Sequence, residues 1–258
     1  MRLGICSWFH EEDFRKAKQR GLDFIELDVN HHAEEFLENL DDVERYSKEY
    51  EVPVAAIGRW GCKRVDANGI IPESLDLEYR LIDAAARLHT EVYITGCNYV
   101  DTLSYYENCT LAISLFEKLI AYAKPHGIRI AVYNCRWENF VCDDMAWTVI
   151  CGHLKDLYIK YDSSHCFYAG GDYLAETKKW VRRFAHVHLK GILAVNGERV
   201  DDPPAGMDQV NWPAYLSILY ANGYNGTLSI EPHSDIWKGE LGEKGIDYSV
   251  EYMRKLVF

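Results

Sequence analysis

The sequence predicts an α/β protein built as a single (β/α)8 TIM barrel over residues 1–258, and three observations carry that reading. Strand-like and helix-like patterns alternate from one end to the other with no Pro/Gly/Ser-rich linker between them. The length of 258 residues suits one such barrel and is long for a sandwich. Three late segments, LYIKYDSSH (157–165), FAHVHLK (184–190) and TLSIEPH (227–233), are apolar on one strand face and carry ionisable groups on the other. That pattern fits a barrel wall with helices outside and a polar mouth inside.

In chain order, strands are expected at 2–7, 22–29, 52–58, 91–96, 127–134, 156–162, 184–190 and 227–231. Helical spacing is clearest in 73–89, where Leu77, Leu81, Ala84, Ala85 and Leu88 recur on one face. It is also clear in 110–124, through Leu111, Leu115, Phe116 and Leu119. Shorter amphipathic stretches at 11–20, 34–50, 143–154, 172–183, 212–222 and 245–256 complete the alternation. The longest irregular stretch, 191–211, follows the seventh strand and is expected to act as a lid or substrate-binding element.

Composition narrows the function. A hydrophobic content of 48% supplies one sizeable core, and a net charge of −12 weighs against nucleic acid or an acidic membrane surface as partner. Eight cysteines without a CxxC pair read as reduced thiols. The opening MRLGICSWFHEEDFRK meets charges too soon for a leader or a membrane span, so a cytoplasmic location is expected. The sequence has no Walker loop, no GxSxG elbow and no basic–aromatic stripe.

Along 157–162, Tyr158, Lys160 and Asp162 share a face; along 184–190, His186, His188 and Lys190 do; along 227–231, Thr227, Ser229 and Glu231 do. Asp162, His188 and Glu231 thus stand at corresponding strand ends, where two carboxylates and an imidazole are able to converge on one divalent ion. The competing reading is that these groups only hydrogen-bond among themselves and to Lys160 or Lys190.

Four segments in order resemble a known family, the xylose isomerase-like TIM barrels, which include sugar phosphate isomerases/epimerases, tagatose-type ketose epimerases and inosose dehydratases. GLDFIELDV (21–29) is similar to the family's second strand, with Glu26 at its glutamate. YDSSH (161–165) is similar to the sixth-strand motif of metal aspartate and substrate-side histidine, and HVHLK (186–190) to the seventh-strand motif whose second histidine binds metal. Residues 206–233 follow the closing loop, helix and eighth strand, ending in the metal glutamate, here Glu231. The resemblance implies a divalent ion, Mn²⁺ foremost with Mg²⁺, Co²⁺ or Zn²⁺ as alternatives, held by Asp162, His188 and Glu231. The chain departs from the pattern at the fifth strand, where GIRIAVYN (127–134) puts Tyr133 in place of a glutamate that would be both ligand and catalytic carboxylate. Asn134, Glu138 or His165 would then complete the ligand set, or water would. The lysine–aspartate pair expected after the seventh strand is Lys190–Gly191, and the tagatose-type arginine is Ala194.

The catalytic candidates are Glu231 or His165 as base, Lys190 as the cation facing a developing oxyanion, and Tyr133 as a phenolic donor. Helix capping is the plainer role for His165, and a structural role is favoured for His186. Trp8 and Trp137, like Trp60, suit stacking on a sugar face, and Arg59 with Lys63 and Arg64 forms a cationic cluster for an anionic group. Glu26 and Asn134 complete the substrate-side candidates. The leading expectation is a metal-dependent sugar or polyol isomerase/epimerase-like enzyme, tilted by Tyr133 towards a lyase or dehydratase on keto-sugars. Its partner would be a small carbohydrate or polyol, with homo-oligomerisation left open. The alternatives are a barrel that has lost catalysis and serves as a sugar-binding or regulatory subunit, and an abasic-site endonuclease, which the acidic charge disfavours.

Overall fold

In the computed structural model, which describes residues 1–258, eight parallel strands close into a barrel. They are β1 (Arg2–Ser7), β2 (Phe24–Asp28), β3 (Val54–Gly58), β4 (Val92–Thr95), β5 (Arg129–Tyr133), β6 (Leu157–Asp162), β7 (Phe184–Leu189) and β8 (Thr227–Ile230). Each strand pairs with its sequence neighbours, and β1 closes the ring on β8 through Leu3 opposite Leu228 and Ile5 opposite Ile230. All eight expected strands are present, because alternation with apolar outer faces marks them individually.

The outward side chains of the strands meet the helices in one continuous apolar layer that includes Leu3, Ile25, Leu27, Ile57, Val132, Ile159, Val187 and Leu228. The inner volume is filled by a smaller cluster: Ala56, Trp60, Val92, Ile94, Ala131, Tyr133 and Ala185. Small residues on the inner wall make room for large ones. A Cβ at Gly58 would fall within the Trp60 ring, so glycine is what admits that indole to the barrel.

The helices are α1 (Glu11–Gln19), α2 (Ala33–Glu38), α3 (Leu40–Glu49), α4 (Pro72–Arg87), α5 (Tyr105–Ala123), α6 (Asp144–His153), α7 (Ser163–Tyr168), α8 (Tyr173–Trp180), α9 (Trp212–Ala221) and α10 (Gly239–Arg254). Where they depart from expectation, local capping explains much of it. The stretch expected as one helix over 34–50 is interrupted at Asn39, whose side chain donates to the Glu35 carbonyl at 2.8 Å. Helix α5 begins five residues before the expected 110, where Ser104 and Glu107 form a capping box. A six-residue helix, α7, starts directly from β6 because Asp162 caps it.

The 191–211 stretch is not wholly irregular: Leu193–Val195 and Glu198–Asp201 pair as a short hairpin that turns at Asn196–Gly197, both with positive φ. No helix is long and apolar enough to cross a membrane.

Candidate active site at the barrel mouth

The register of the last strands sets the levels of the site. Lys160 lies opposite His186, and Asp162 opposite His188, after a register irregularity between Ile159 and Lys160. Ser229 pairs with His188, so Glu231 emerges just beyond the end of β8. Ligand atoms of Asp162, His188 and Glu231 all lie within 4.8 Å of one another.

Their environments are strongly electrostatic. His188 sits between two carboxylates, Nδ1 at 2.8 Å from Glu231 Oε2 and Nε2 at 2.9 Å from both oxygens of Glu26. Burial opposes its protonation, but Glu26 prevails and holds the His188 pKa above the ordinary imidazole value. Glu231 is buried too, yet Lys190 and then His188 keep its carboxyl well below the carboxylate range. Asp162 behaves alike: burial is overcome by Lys190 and then His165, and the carboxyl is held low. Lys190 Nζ lies 3.0 Å from Asp162 Oδ2 and 3.7 Å from Glu231 Oε2, and burial is outweighed by these charges, which raise the Lys190 pKa. His165 Nε2 is 3.3 Å from Asp162 Oδ2, and burial pushes it down to about 4.

Asp162 divides its work between two oxygens. Oδ1 accepts from the Ser164 backbone N–H at 2.8 Å and caps α7, whereas Oδ2 is buried without a hydrogen bond of proper geometry. That oxygen, with the His188 imidazole and Glu231, forms an oxygen-rich donor set that fits a divalent cation. A second grouping, Cys6, Glu26 and His188, shares the same imidazole.

Several expected roles are redirected. His186 is closed off, with Nε2 at 2.7 Å from Glu26 Oε2 and Nδ1 at 2.6 Å from Thr227 Oγ1. Glu26 thereby ties two histidines together at the floor instead of facing a ligand. Asn134 makes a reciprocal pair with the Asp162 backbone, accepting from its N–H at 2.9 Å and donating to its carbonyl at 2.8 Å, which fixes the end of β6.

Tyr133 is corrected as a donor to substrate. Its hydroxyl donates to the Trp137 carbonyl at 2.7 Å, and the ring packs beside Trp60 in the inner apolar cluster. Arg59 is corrected as an anion receptor: its guanidinium is buried against Glu78 at 2.7 Å, and Arg64 reaches the same carboxylate at 2.9 Å. Trp8 stands edge-on to His32 outside the cavity lining. The capping role considered for His165 belongs to Asp162, since His165 lies inside α7.

Above the cluster opens a cavity of ≈ 580 Å³, counting its mouth, lined among others by Asp28, Trp60, Trp137, Lys160, His165 and Glu231. Asp28 and Lys160 were not among the expected site residues. The signal was available, since Asp28 alternates with Glu26 as Asp162 does with Lys160, but alternation does not say which inward group reaches the cavity. Burial raises the Asp28 carboxyl to about 7, reinforced by Glu26 and Glu231, and its Oδ1 has no partner.

A closed parallel barrel carrying a carboxylate–imidazole cluster at the C-terminal ends of its strands defines the class of protein. A family model described as xylose isomerase-like TIM barrel matches residues 14–256, and the chain belongs to that family. An inosose dehydratase of Clostridium perfringens is 31% identical over 146 residues, covering 49% of this chain and 47% of that protein. The inosose dehydratase of Mesomycoplasma hyopneumoniae is 25% identical over 167 residues, covering 55% and 53%. The match thus spans about half the length of these curated relatives. Among solved structures, 3-keto-D-glucoside 4-epimerase from E. coli aligns with a TM-score of 0.76 at 18% identity over 99% of each chain. A D-psicose 3-epimerase solved with D-fructose aligns at 0.77 and 15% identity, over 100% of this chain and 99% of that one. At such identities these likenesses speak to the fold.

Proposed function

We propose that the protein is a metal-assisted enzyme of keto-sugar or keto-polyol chemistry, and that its reaction is a dehydration of an inosose-like substrate. The observation that carries this reading is the convergence of Asp162, His188 and Glu231 beneath a cavity lined by Trp60, Trp137, Asp28 and Lys160. The resemblance of half the chain to inosose dehydratases supports the substrate class. Asp162, His188 and Glu231 would hold the ion, whose chemistry when bound is to draw electron density from substrate oxygens and acidify the neighbouring C–H.

The chain's own groups supply the rest. Glu231, ionised at neutral pH and itself a member of the ion set, is also the base. Asp28, poised near neutrality and unpartnered at Oδ1, is the acid that protonates a departing hydroxyl. Trp137, half exposed at the rim, offers a flat face for the sugar ring and shields it from water. A dehydration needs one base and one acid, with no proton returned to the opposite face. The absence of a fifth-strand carboxylate therefore fits it better than epimerisation.

The test is turnover of inosose and a panel of keto-sugars by protein stripped of metal and reloaded with Mn²⁺, following the enone product. Metal-dependent loss of water is expected. Inertness across the panel, with ligand still bound, favours the sugar-binding reading instead.

A further inference from the structure

The barrel buries two lysines at its mouth, and they are not alike. Lys190 is neutralised by Asp162 and Glu231. Lys160, also buried, has no carboxylate within ion-pair distance and donates to no protein acceptor; its Nζ rests 5.7 Å from the centre of the Trp60 ring and lines the cavity. An ammonium carries three donors, and one aromatic face satisfies at most part of that demand. A buried charge left so incompletely partnered is costly, and a methionine would fill the same space without the cost. The missing acceptor is therefore expected from a ligand.

The surroundings say which acceptor. Asp28 and Glu231 line the same cavity and disfavour a ligand group that arrives as an anion. A hydroxyl group would be matched better by Asp28, which can accept from it. What suits a lone ammonium among carboxylates is a neutral oxygen that only accepts and becomes negative during reaction. Lys190, whose charge is already met, is poorly placed for that role.

We infer that Lys160 is a catalytic residue of this site, its ammonium donating to the carbonyl oxygen of the substrate at the cavity floor and stabilising the negative charge that develops there. The identity of that oxygen as a ketone rests on the proposed function; the contact between Lys160 and the ligand does not. Removal of one such donor typically lowers kcat on the order of 100-fold or more.

Two measurements test it. Lys160→Met, checked for folding by circular dichroism, should lose about 100-fold in kcat on inosose with a much smaller change in KM. Independently of any variant, reductive methylation of the wild type with formaldehyde, read by mass spectrometry, should modify Lys160 in the free protein. Saturating inosose should protect it, while exposed lysines such as Lys178 remain reactive. Binding and protection without turnover would sink the dehydratase reading and keep the lysine contact. Turnover with Lys160 unprotected and Lys160→Met fully active would overturn the inference. So would a borohydride-trapped adduct on Lys160, which would make it a nucleophile instead of a hydrogen-bond donor. A chain that binds no member of the keto-sugar panel overturns both readings.

Discussion

Asp162 Oδ2 and Lys190 Nζ face each other at 3.0 Å, in the space where a cation bound by Asp162 and Glu231 would also have to sit. The ammonium thus serves as counter-charge for two buried carboxylates, and a divalent ion would have to share that duty with it or displace it. Lys190→Met should accordingly destabilise the metal-free protein, because breaking a buried pair leaves uncompensated charge worth about 3–5 kcal/mol. For a chain of this size that is a fall in Tm on the order of 10 °C. Added Mn²⁺ should restore the variant by more than it stabilises the wild type. Thermal melts with and without metal decide the matter, and no rescue by any divalent ion would remove the metal set.

The two histidines of β7 should separate cleanly. His188→Ala should abolish tight metal binding, whereas His186→Ala should spare it and lower stability instead, because it strips Glu26 and Thr227 of a shared partner. The raised His188 pKa adds a sign. Protonated His188 cannot ligate, so metal affinity should rise with pH until that proton is lost, and should fall in acid. Calorimetric titration at several pH values reads both effects; equal loss in the two variants would mean that the ligand within HVH is misassigned.

Much of this was legible in the sequence, and the reasons are local. Each barrel strand announces itself through an apolar outer face, and β6, β7 and β8 also carry an ionisable residue at, just before or just beyond their ends (Asp162, His188 and Glu231). What stayed hidden depends on three-dimensional partners. Tyr133 and Lys160 are inward neighbours on adjacent strands, yet one spends its hydroxyl on the Trp137 carbonyl and the other keeps its ammonium for the cavity. Arg59 reads as a free cation in GRWGCKR because Glu78, its partner, lies 19 residues further on in helix α4. Helix α7 is too short and polar to show a period and exists because Asp162 caps it.

Asp28 should make stability pH-dependent in a definite direction. Its carboxyl titrates near 7 in the folded chain and near 3.8 when solvated, so between those values the native state holds a proton that the unfolded state lacks. Its contribution is therefore fullest below about 3.8 and is lost as pH rises through about 7. Asp28→Asn removes the titration. The variant should match the wild type only below about pH 3.8 and exceed it by a margin in Tm that grows up to about pH 7 and then levels off, while losing turnover if Asp28 is the acid. A Tm difference that does not grow with pH would show that Asp28 is ordinary in its environment.

Tyr133 is where the chain leaves its family's pattern, and its geometry now fixes what a single oxygen does. The phenol is buried, burial raises its pKa above the ordinary value, and its proton goes to the Trp137 carbonyl, so it holds the loop that carries the rim tryptophan. Tyr133→Phe removes that hydrogen bond and the longer 3.4 Å contacts of the hydroxyl with the Gly61 N–H and the Glu138 carbonyl, while the ring keeps its place beside Trp60 and above Gly96. The expected loss is about 1 kcal/mol of stability, or roughly 2–4 °C in Tm. Metal affinity should be unchanged, and kcat should stay within about threefold of the wild type, because a residue acting through a loop falls short of the 10²-fold or greater effects of proton transfer. KM should rise if Trp137 stacks on the sugar, since the tryptophan loses its tether. A large fall in kcat at constant KM would instead return the phenol to the reaction as an acid, and would require the Tyr133 hydroxyl to leave Trp137 when substrate binds.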